Sequence, residues 1–420
     1  MHNPREAAVV ALYKIEKEGA YLNKAILDNS KGLNPADRAF LNQLVMGVAR
    51  NKTYIDFLIQ KYSKIKLKKL SDWVHQILRC GVYQLVMMDK IPPSAACNES
   101  VKLANKFAHS GAKGYVNGVL RSISRSLDNL PETDDLSVRY STPDWIAKKL
   151  IAQFGETKTK EILKDSLIPH PTMVRVNMIK TTPIELINIL EQEGISAEQG
   201  EEEACLKILG AIDIGASNAY KNGLYTLQNI NSMRAALVLS PKENEFIIDM
   251  CSAPGGKTTH IAELMNNNGK IVAFDIHEHK IDLINRTAKR LSINIIDARV
   301  NNSEIPIEEL FGKADRVLCD VPCSGLGVIH KKPDIKWNRK EEDIADLLKI
   351  QKNILNSASK YVKSGGVLVY STCTILREEN EEQIEEFLKE NTDFEKDFEK
   401  LYLAHETGGS GFYICRLRKK

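Results

Sequence analysis

Phe246-Ile247-Ile248-Asp249-Met250-Cys251-Ser252-Ala253-Pro254-Gly255-Gly256-Lys257-Thr258 is the stretch whose reading decides the fold. Its first five residues are a short, mainly apolar run of buried-strand length. A turn of small residues follows, then a helical pattern through Met265. Glycines at a strand-to-helix turn let a ligand approach the backbone closely. Free amides at the helix start hold a polar or anionic group. Gly256-Lys257-Thr258 resembles the end of a phosphate-binding loop, but that motif needs Gly five residues before Gly256, where Cys251 stands. The next apolar run, Lys270-Ile271-Val272-Ala273-Phe274, ends in Asp275, 20 residues beyond Gly255. Doubly wound sheets place an acid on ribose hydroxyls at that spacing. The turn lacks the full G-x-G-x-x-G of dinucleotide binders, so S-adenosyl-L-methionine is the nucleoside cofactor these residues favour. On this stretch alone, a generic turn followed by a chance acid stays open.

Two further strands lie downstream, and each leads to a cysteine. Arg316-Val317-Leu318-Cys319 runs into Asp320-Val321-Pro322-Cys323-Ser324-Gly325, and Gly366-Val367-Leu368-Val369 runs into Tyr370-Ser371-Thr372-Cys373. Both thiols are expected at strand carboxyl ends, where open α/β sheets bind ligands. A thiolate is a strong nucleophile, and a second one nearby suggests a two-step covalent reaction. Methyl transfer to C5 of a pyrimidine fits such a pair beside a nucleoside cofactor. Cytosine C5 is a poor nucleophile until a thiolate adds to C6; a base then removes the C5 proton and the thiol leaves. Asp320 is placed to hold N3 protonated. The target base must be single-stranded or flipped out. Cys80, Cys97, Cys205, Cys319 and Cys415 read as small buried hydrophobes. Zinc ligation by Cys319, Cys323 and His330 fits no usual spacing, and no metal is expected.

The whole chain has 420 residues, enough for two or three domains, and 43% are hydrophobic. There is no apolar run of membrane-spanning length. Met1-His2-Asn3-Pro4-Arg5-Glu6 shows no basic-then-apolar export pattern. The expectation is a cytoplasmic, monomeric protein with reduced thiols and no implied protein partner. Net charge is +3 but unevenly placed: residues 1–140 carry 21 Lys+Arg against 13 Asp+Glu, leaving 37 against 42 for the remainder. A basic first third suggests a nucleic-acid-facing module, with ordinary surface charge as the plainer reading. The densest cluster, Lys61 to Lys69, suits one basic helix or a loop edge.

Residues 1–130 are expected to be all-helical, with apolar spacings of three and four in Ala8-Val9-Leu12-Ile15 and Phe40-Leu41-Leu44-Val45-Val48. Asn34-Pro35-Ala36-Asp37 reads as a capped helix start. A helix is expected from Ala95 to Phe107, and a linker at Leu130-Pro131-Glu132-Thr133-Asp134-Asp135. Residues 140–240 read as a small α+β module, with a helix from Trp145 to Phe154, a strand at Thr172–Asn177 and a helix opened by Thr182-Pro183. Residues 241–420 read as a parallel α/β domain.

Cys251–Lys257, Asp320–Cys323 and Thr372-Cys373 resemble the signature motifs of the Nop/Sun family of RNA (cytosine-C5)-methyltransferases. Val328-Ile329-His330-Lys331-Lys332-Pro333-Asp334-Ile335-Lys336-Trp337 and Glu378-Glu379-Asn380-Glu381 extend the match. The helical first 130 residues resemble a NusB-like RNA-binding domain. The resemblance implies a Rossmann-like class I methyltransferase domain at the C-terminus. It also implies 16S rRNA as substrate and S-adenosyl-L-methionine as donor, released as S-adenosyl-L-homocysteine. Carried over by position, Cys373 is the nucleophile and Cys323 assists release of product. Cys251, Ser252, Ala253, Pro254, Gly255, Gly256, Lys257, Asp275 and Asp320 match cofactor-binding positions, and Lys257 and Asp320 also lie near the target base. Three departures stand out. Val300-Asn301-Asn302-Ser303 replaces the usual Gly-Asp-Ala, so Asn302 takes the place of an acid on the adenosine side. Gln228-Asn229 stands where Gln-Asp is commoner, and His330 where Arg is, leaving one fixed RNA-facing charge fewer. A tRNA or DNA substrate remains an alternative, as does a non-catalytic RNA-binding or assembly factor, which would need neither thiol. The base that accepts the C5 proton is not identified.

Overall fold

The computed structural model describes residues 3–210 and 212–420. Met1 and His2, where the search for an export signal begins, lie outside them. The chain forms two units: residues 3–168 together with Ile329–Asn338, and Pro169–Val328 together with Arg339–Lys420.

The first unit is helical. Helices Pro4–Glu18, Leu22–Asn29, Pro35–Arg50, Lys52–Tyr62, Asp72–Met87, Pro93–Phe107 and Ser110–Ser124 surround one apolar core. Asn34 accepts the Asp37 N–H at 2.8 Å, confirming the expected cap. Asp72–Met87 runs through the middle, with most of its residues buried. Its Arg79 forms a paired fork with Asp56 at 2.8 and 2.6 Å, and His75 adds a third bond at 2.8 Å. In the Lys61 to Lys69 cluster, Lys61 and Tyr62 end helix Lys52–Tyr62, and Ser63 to Lys69 is a loop edge ending in a short 3-10 turn, Leu67–Lys69. The helix expected from Trp145 to Phe154 is the first half of Asp144–Asp165. Gly155, at φ 76°, breaks the helical path directly after Phe154.

Ile329–Asn338 folds against these helices, although it is far away in sequence. Trp337 Nε1 donates to Ala49 O at 2.7 Å and Lys336 Nζ to Arg50 O at 3.0 Å. Arg50 donates twice to His330 O, at 3.1 and 2.9 Å. His330 itself is only 2% exposed, with its carbonyl clamped by Arg50.

The second unit holds two sheets. Strands β1 (Thr172–Val176), β2 (Ser196–Gln199), β3 (Cys205–Leu209) and β4 (Tyr225–Leu227) form an antiparallel sheet in the order β2-β3-β1-β4. The larger sheet comprises β5 (Phe246–Asp249), β6 (Lys270–Asp275), β7 (Ile296–Val300), β8 (Ala314–Asp320), β9 (Val362–Thr372), β10 (Phe394–Tyr402) and β11 (Phe412–Lys419). Its order is β10-β11-β9-β8-β5-β6-β7, parallel from β9 to β7 and closed by an antiparallel edge hairpin. The strand order reverses at β5, so the crevice beyond the carboxyl ends of β5 and β8 is where such a sheet takes a ligand. The expected α/β class and the strands leading to both cysteines are confirmed. Among the described residues, no helix is long and apolar enough to cross a membrane.

Candidate active site

The turn expected to hold a cofactor is built at the end of β5. The buried Asp249 carboxylate accepts the Thr258 hydroxyl at 2.6 Å, tying the strand to the first turn of helix Gly256–Leu264. Ser252 N–H donates to Phe274 O on β6 at 2.8 Å. Gly255 sits at φ 98°, and a Cβ there would lie 3.3 Å from Ile284 Cα, so this position favours glycine on two counts. Burial pushes Asp249 up to about 6; the Thr258 bond opposes this and the Asp320 charge adds to it. An unfolded aspartate titrates near about 3.9, so the folded chain holds this proton more tightly. The resulting stability is complete below about pH 4 and is lost as the pH rises through about 6. Asp249→Asn is expected to remove up to about 3 kcal/mol of that pH-dependent loss, measured as denaturation midpoints between about pH 4 and 6. Parallel pH profiles for the two proteins would refute it.

Beyond the turn lies a cavity of about 380 Å³, lined by Met250, Cys251, Ala253, Asp275, Ile276, Lys280, Asn301, Asn302, Ser303, Glu304, Asp320, Val321, Pro322, Ile350 and Ile354. That volume lies within the roughly 300–1,000 Å³ of small-molecule sites. Asp275, at the end of β6, faces the Lys280 ammonium at 3.5 Å. Polar groups from three successive strand ends and an apolar wall from Ile276, Pro322, Ile350 and Ile354 suit a nucleoside with a charged tail. One buried donor, Asn301 Nδ2, has no hydrogen-bond partner among the described residues. The residues present therefore fit S-adenosyl-L-methionine.

Asp320 joins the cavity to the thiols. Its carboxylate accepts from Lys257 Nζ at 2.7 Å and from the Ser371 hydroxyl at 2.7 Å. Lys257 lies 5.0 Å from the centre of the Phe412 ring. Burial would lower the pKa of Lys257, but the charge and hydrogen bond of Asp320 outweigh it, and negative charge on Cys373 raises it further. Cys323 Sγ and Cys373 Sγ lie 3.1 Å apart. Cys323 is buried and Cys373 partly exposed. The hydrogen bond to Cys373, then burial, then the charges of Cys373 and Glu379 raise Cys323 well above an ordinary thiol. Of the two sulfurs, Cys373 is the more accessible.

Buried polar groups fix these two loops. Glu379, fully buried, accepts from Ser324 N at 2.8 Å and from Gln351 Nε2 at 2.9 Å. It also accepts the Ser324 hydroxyl at 2.5 Å. Gln351 donates as well to Pro322 O at 3.0 Å. Thr372 donates to Asn380 Oδ1 at 2.6 Å, and Gly327 N–H to Cys373 O at 3.0 Å. A Cβ on Gly327 would fall 2.2 Å from Gly411 O, so this close approach excludes a side chain there.

The structure brings Lys257, Asp320, Cys323 and Cys373 into one cluster. It places Cys251, Ala253, Asp275, Asn302 and Asp320 on the cavity wall and Ser252, Pro254, Gly255 and Gly256 in the turn behind it. Cys80, Cys97, Cys205, Cys319 and Cys415 are buried free thiols. Sequence reasoning gave no role to Glu379, Gln351, Ser371, Arg175 or Asn301. Arg175, on β1, is fully buried and donates to Gly256 O at 2.6 Å, to Thr259 at 3.0 Å and twice to Glu263 at 2.8 Å. It also bonds Gln228, the residue of the Gln228-Asn229 departure. Among the described residues, no three or more His, Cys, Asp or Glu side chains are grouped to hold a metal ion.

Comparison with other proteins follows this geometry. Residues 236–417 match the family model for 16S rRNA methyltransferase RsmB/F. Residues 2–125 match the NusB family, and residues 142–215 the ferredoxin-like domain of RsmF/B-like methyltransferases. The probable ribosomal RNA small subunit methyltransferase B of Bacillus subtilis (strain 168) is 38% identical, covering 99% of this chain and 98% of that protein. The ribosomal RNA small subunit methyltransferase B of Proteus mirabilis (strain HI4320) is 34% identical, covering 100% of this chain and 99% of that protein. A crystal structure of a methyltransferase homologue from Pyrococcus horikoshii superposes with a TM-score of 0.60 at 28% identity, over 68% of this chain and 98% of that one.

Proposed function

From the premise that this chain belongs to the RsmB/F family of ribosomal RNA small subunit methyltransferases, we propose that it methylates C5 of one cytosine in 16S rRNA through a covalent cysteine adduct. The observation that carries this reading is the unequal thiol pair: an accessible Cys373 beside a buried Cys323 at 3.1 Å. When bound, S-adenosyl-L-methionine supplies the electrophilic methyl group. Cys251 to Lys257, Asp275, Asn302 and Asp320 are the residues proposed to hold it.

The Cys373 thiolate adds to C6 of a base turned out of its stack. The new S–C6 bond moves electron density to C5, which makes C5 the nucleophile. Asp320, held by Lys257 and Ser371, accepts a hydrogen bond from protonated N3 and stabilises the adduct. Once C5 has gained its methyl group and lost its proton to a base, the S–C6 electrons return to sulfur. The Cys323 S–H is within reach to protonate the departing Cys373. On this reading residues 1–130 are a NusB-like RNA-binding domain, 140–240 a small connecting module and 241–420 the methyltransferase domain.

The test is methyl transfer from labelled S-adenosyl-L-methionine to unmodified 16S rRNA, with bisulfite sequencing of the product. One protected cytosine, absent from a reaction without enzyme, is the expected result. Labelling of tRNA in preference to 16S rRNA, or of a base other than cytosine, would overturn the proposal.

A further inference from the structure

Asn301, one residue past β7, carries a side-chain amide that the fold leaves unused. Its backbone N–H donates to Asp275 O at 3.0 Å, which sets it directly beside the acid at the end of β6. The next two side chains are committed locally. Asn302 Oδ1 accepts from Glu304 N at 3.1 Å, and the Ser303 hydroxyl donates to Met250 O at 2.5 Å. Asn301 Nδ2 is buried in the cavity wall with no partner among the described residues. Buried N–H groups in folded proteins are almost always paired, because leaving one unmade forfeits its hydration. An acceptor on a ligand in this cavity completes the pairing.

We infer that Asn301 recognises the purine edge of the cofactor, an inference that rests on the proposed use of S-adenosyl-L-methionine. Asp275 occupies the position that addresses the ribose. Asn301 stands at the end of the next strand, lining the same cavity and bonded through its backbone to Asp275. A carboxamide presents a donor beside an acceptor, the complement of adenine's exocyclic amine beside a ring nitrogen. A carboxylate offers acceptors only.

Calorimetric titration of the full chain with two ligands tests this. One is S-adenosyl-L-homocysteine; the other is S-ribosyl-L-homocysteine, which lacks the base and is measured by displacement. Asn301→Leu keeps the side-chain volume and removes both polar atoms. Its affinity for S-adenosyl-L-homocysteine is expected to fall roughly tenfold, while that for the baseless ligand stays within about twofold. Equal losses for both ligands would mean that Asn301 only shapes the loop, and an unchanged affinity for S-adenosyl-L-homocysteine would mean that it touches nothing; either result overturns the inference. A wild-type chain that binds neither ligand fails at the cofactor reading itself, whereas a wild-type chain that binds with an unaffected variant fails only at Asn301. Should Leu disturb the circular dichroism spectrum, Asn301→Ala reads the same ratio.

Discussion

Cys373→Ala is expected to lose methyl transfer by a factor on the order of 10⁴ or more, and to form no covalent complex with 16S rRNA. The partner variant is expected to fail differently. Cys323→Ala leaves the attacking sulfur in place and removes the nearby S–H, so a protein–RNA adduct accumulates and turnover stops after one cycle. Denaturing gel electrophoresis with labelled rRNA separates the two outcomes. The distinction follows from burial. Cys323 is buried beside Glu379, which raises its pKa, whereas Cys373 is partly exposed and near the Lys257 ammonium. Retained turnover in Cys373→Ala, or an adduct trapped by that variant and not by Cys323→Ala, would reverse the two roles.

The second large effect is expected on stability. Arg175→Met should lower the thermal midpoint of the second unit by roughly 10 °C, in line with the 3–5 kcal/mol typical of one partner lost from a buried pair. Arg175 and Glu263 are both buried and share two bonds of 2.8 Å. Burial outweighs the attraction and holds the Glu263 carboxyl above its ordinary range even with Arg175 present. Without the guanidinium that carboxylate has no compensation, and the Gly256 carbonyl loses its donor. Because Gly256 opens the helix behind the cofactor turn, affinity for S-adenosyl-L-homocysteine should fall in parallel. Arg175→Met combined with Glu263→Gln should recover much of the midpoint; a double variant no better than the single would show that packing, not charge, is at stake.

Local pattern made the centre of the large sheet legible. β5, its glycine turn and β6 are short apolar runs with a clear stop, so the stretch that opens the fold also predicts Asp275. The edge hairpin was not legible. β10 contains Glu395, Lys396, Asp397, Glu399 and Lys400, all exposed on both faces of this edge strand, which leaves no apolar alternation to mark it. β2, Ser-Ala-Glu-Gln, has almost no apolar residue to mark it. In the site, the thiols were found because they end strands. Glu379 was matched as part of a motif but given no task, since Arg377-Glu378-Glu379-Asn380-Glu381 looks like a solvated run. Both Glu379 and Asn380 are fully buried: Glu379 accepts from Ser324 and Gln351, far away in sequence, and Asn380 from Thr372. Arg175 hid inside a strand pattern for the same reason. Its partners lie on another sheet's helix, and no local window contains them.

The placement of Ile329–Asn338 bears on the order in which the chain can fold. Helices up to residue 168 emerge from the ribosome long before Trp337 and Lys336, which complete their packing. At roughly 5–20 residues per second, the intervening 170 residues take on the order of 10–30 s to synthesise. During that interval the helical unit waits with the Trp337 seat at Ala49 and Arg50 unfilled. Nascent-chain experiments should therefore find its protease resistance rising in two steps, the second only after residue 338 has cleared the exit tunnel. Trp337→Ala should remove that second step.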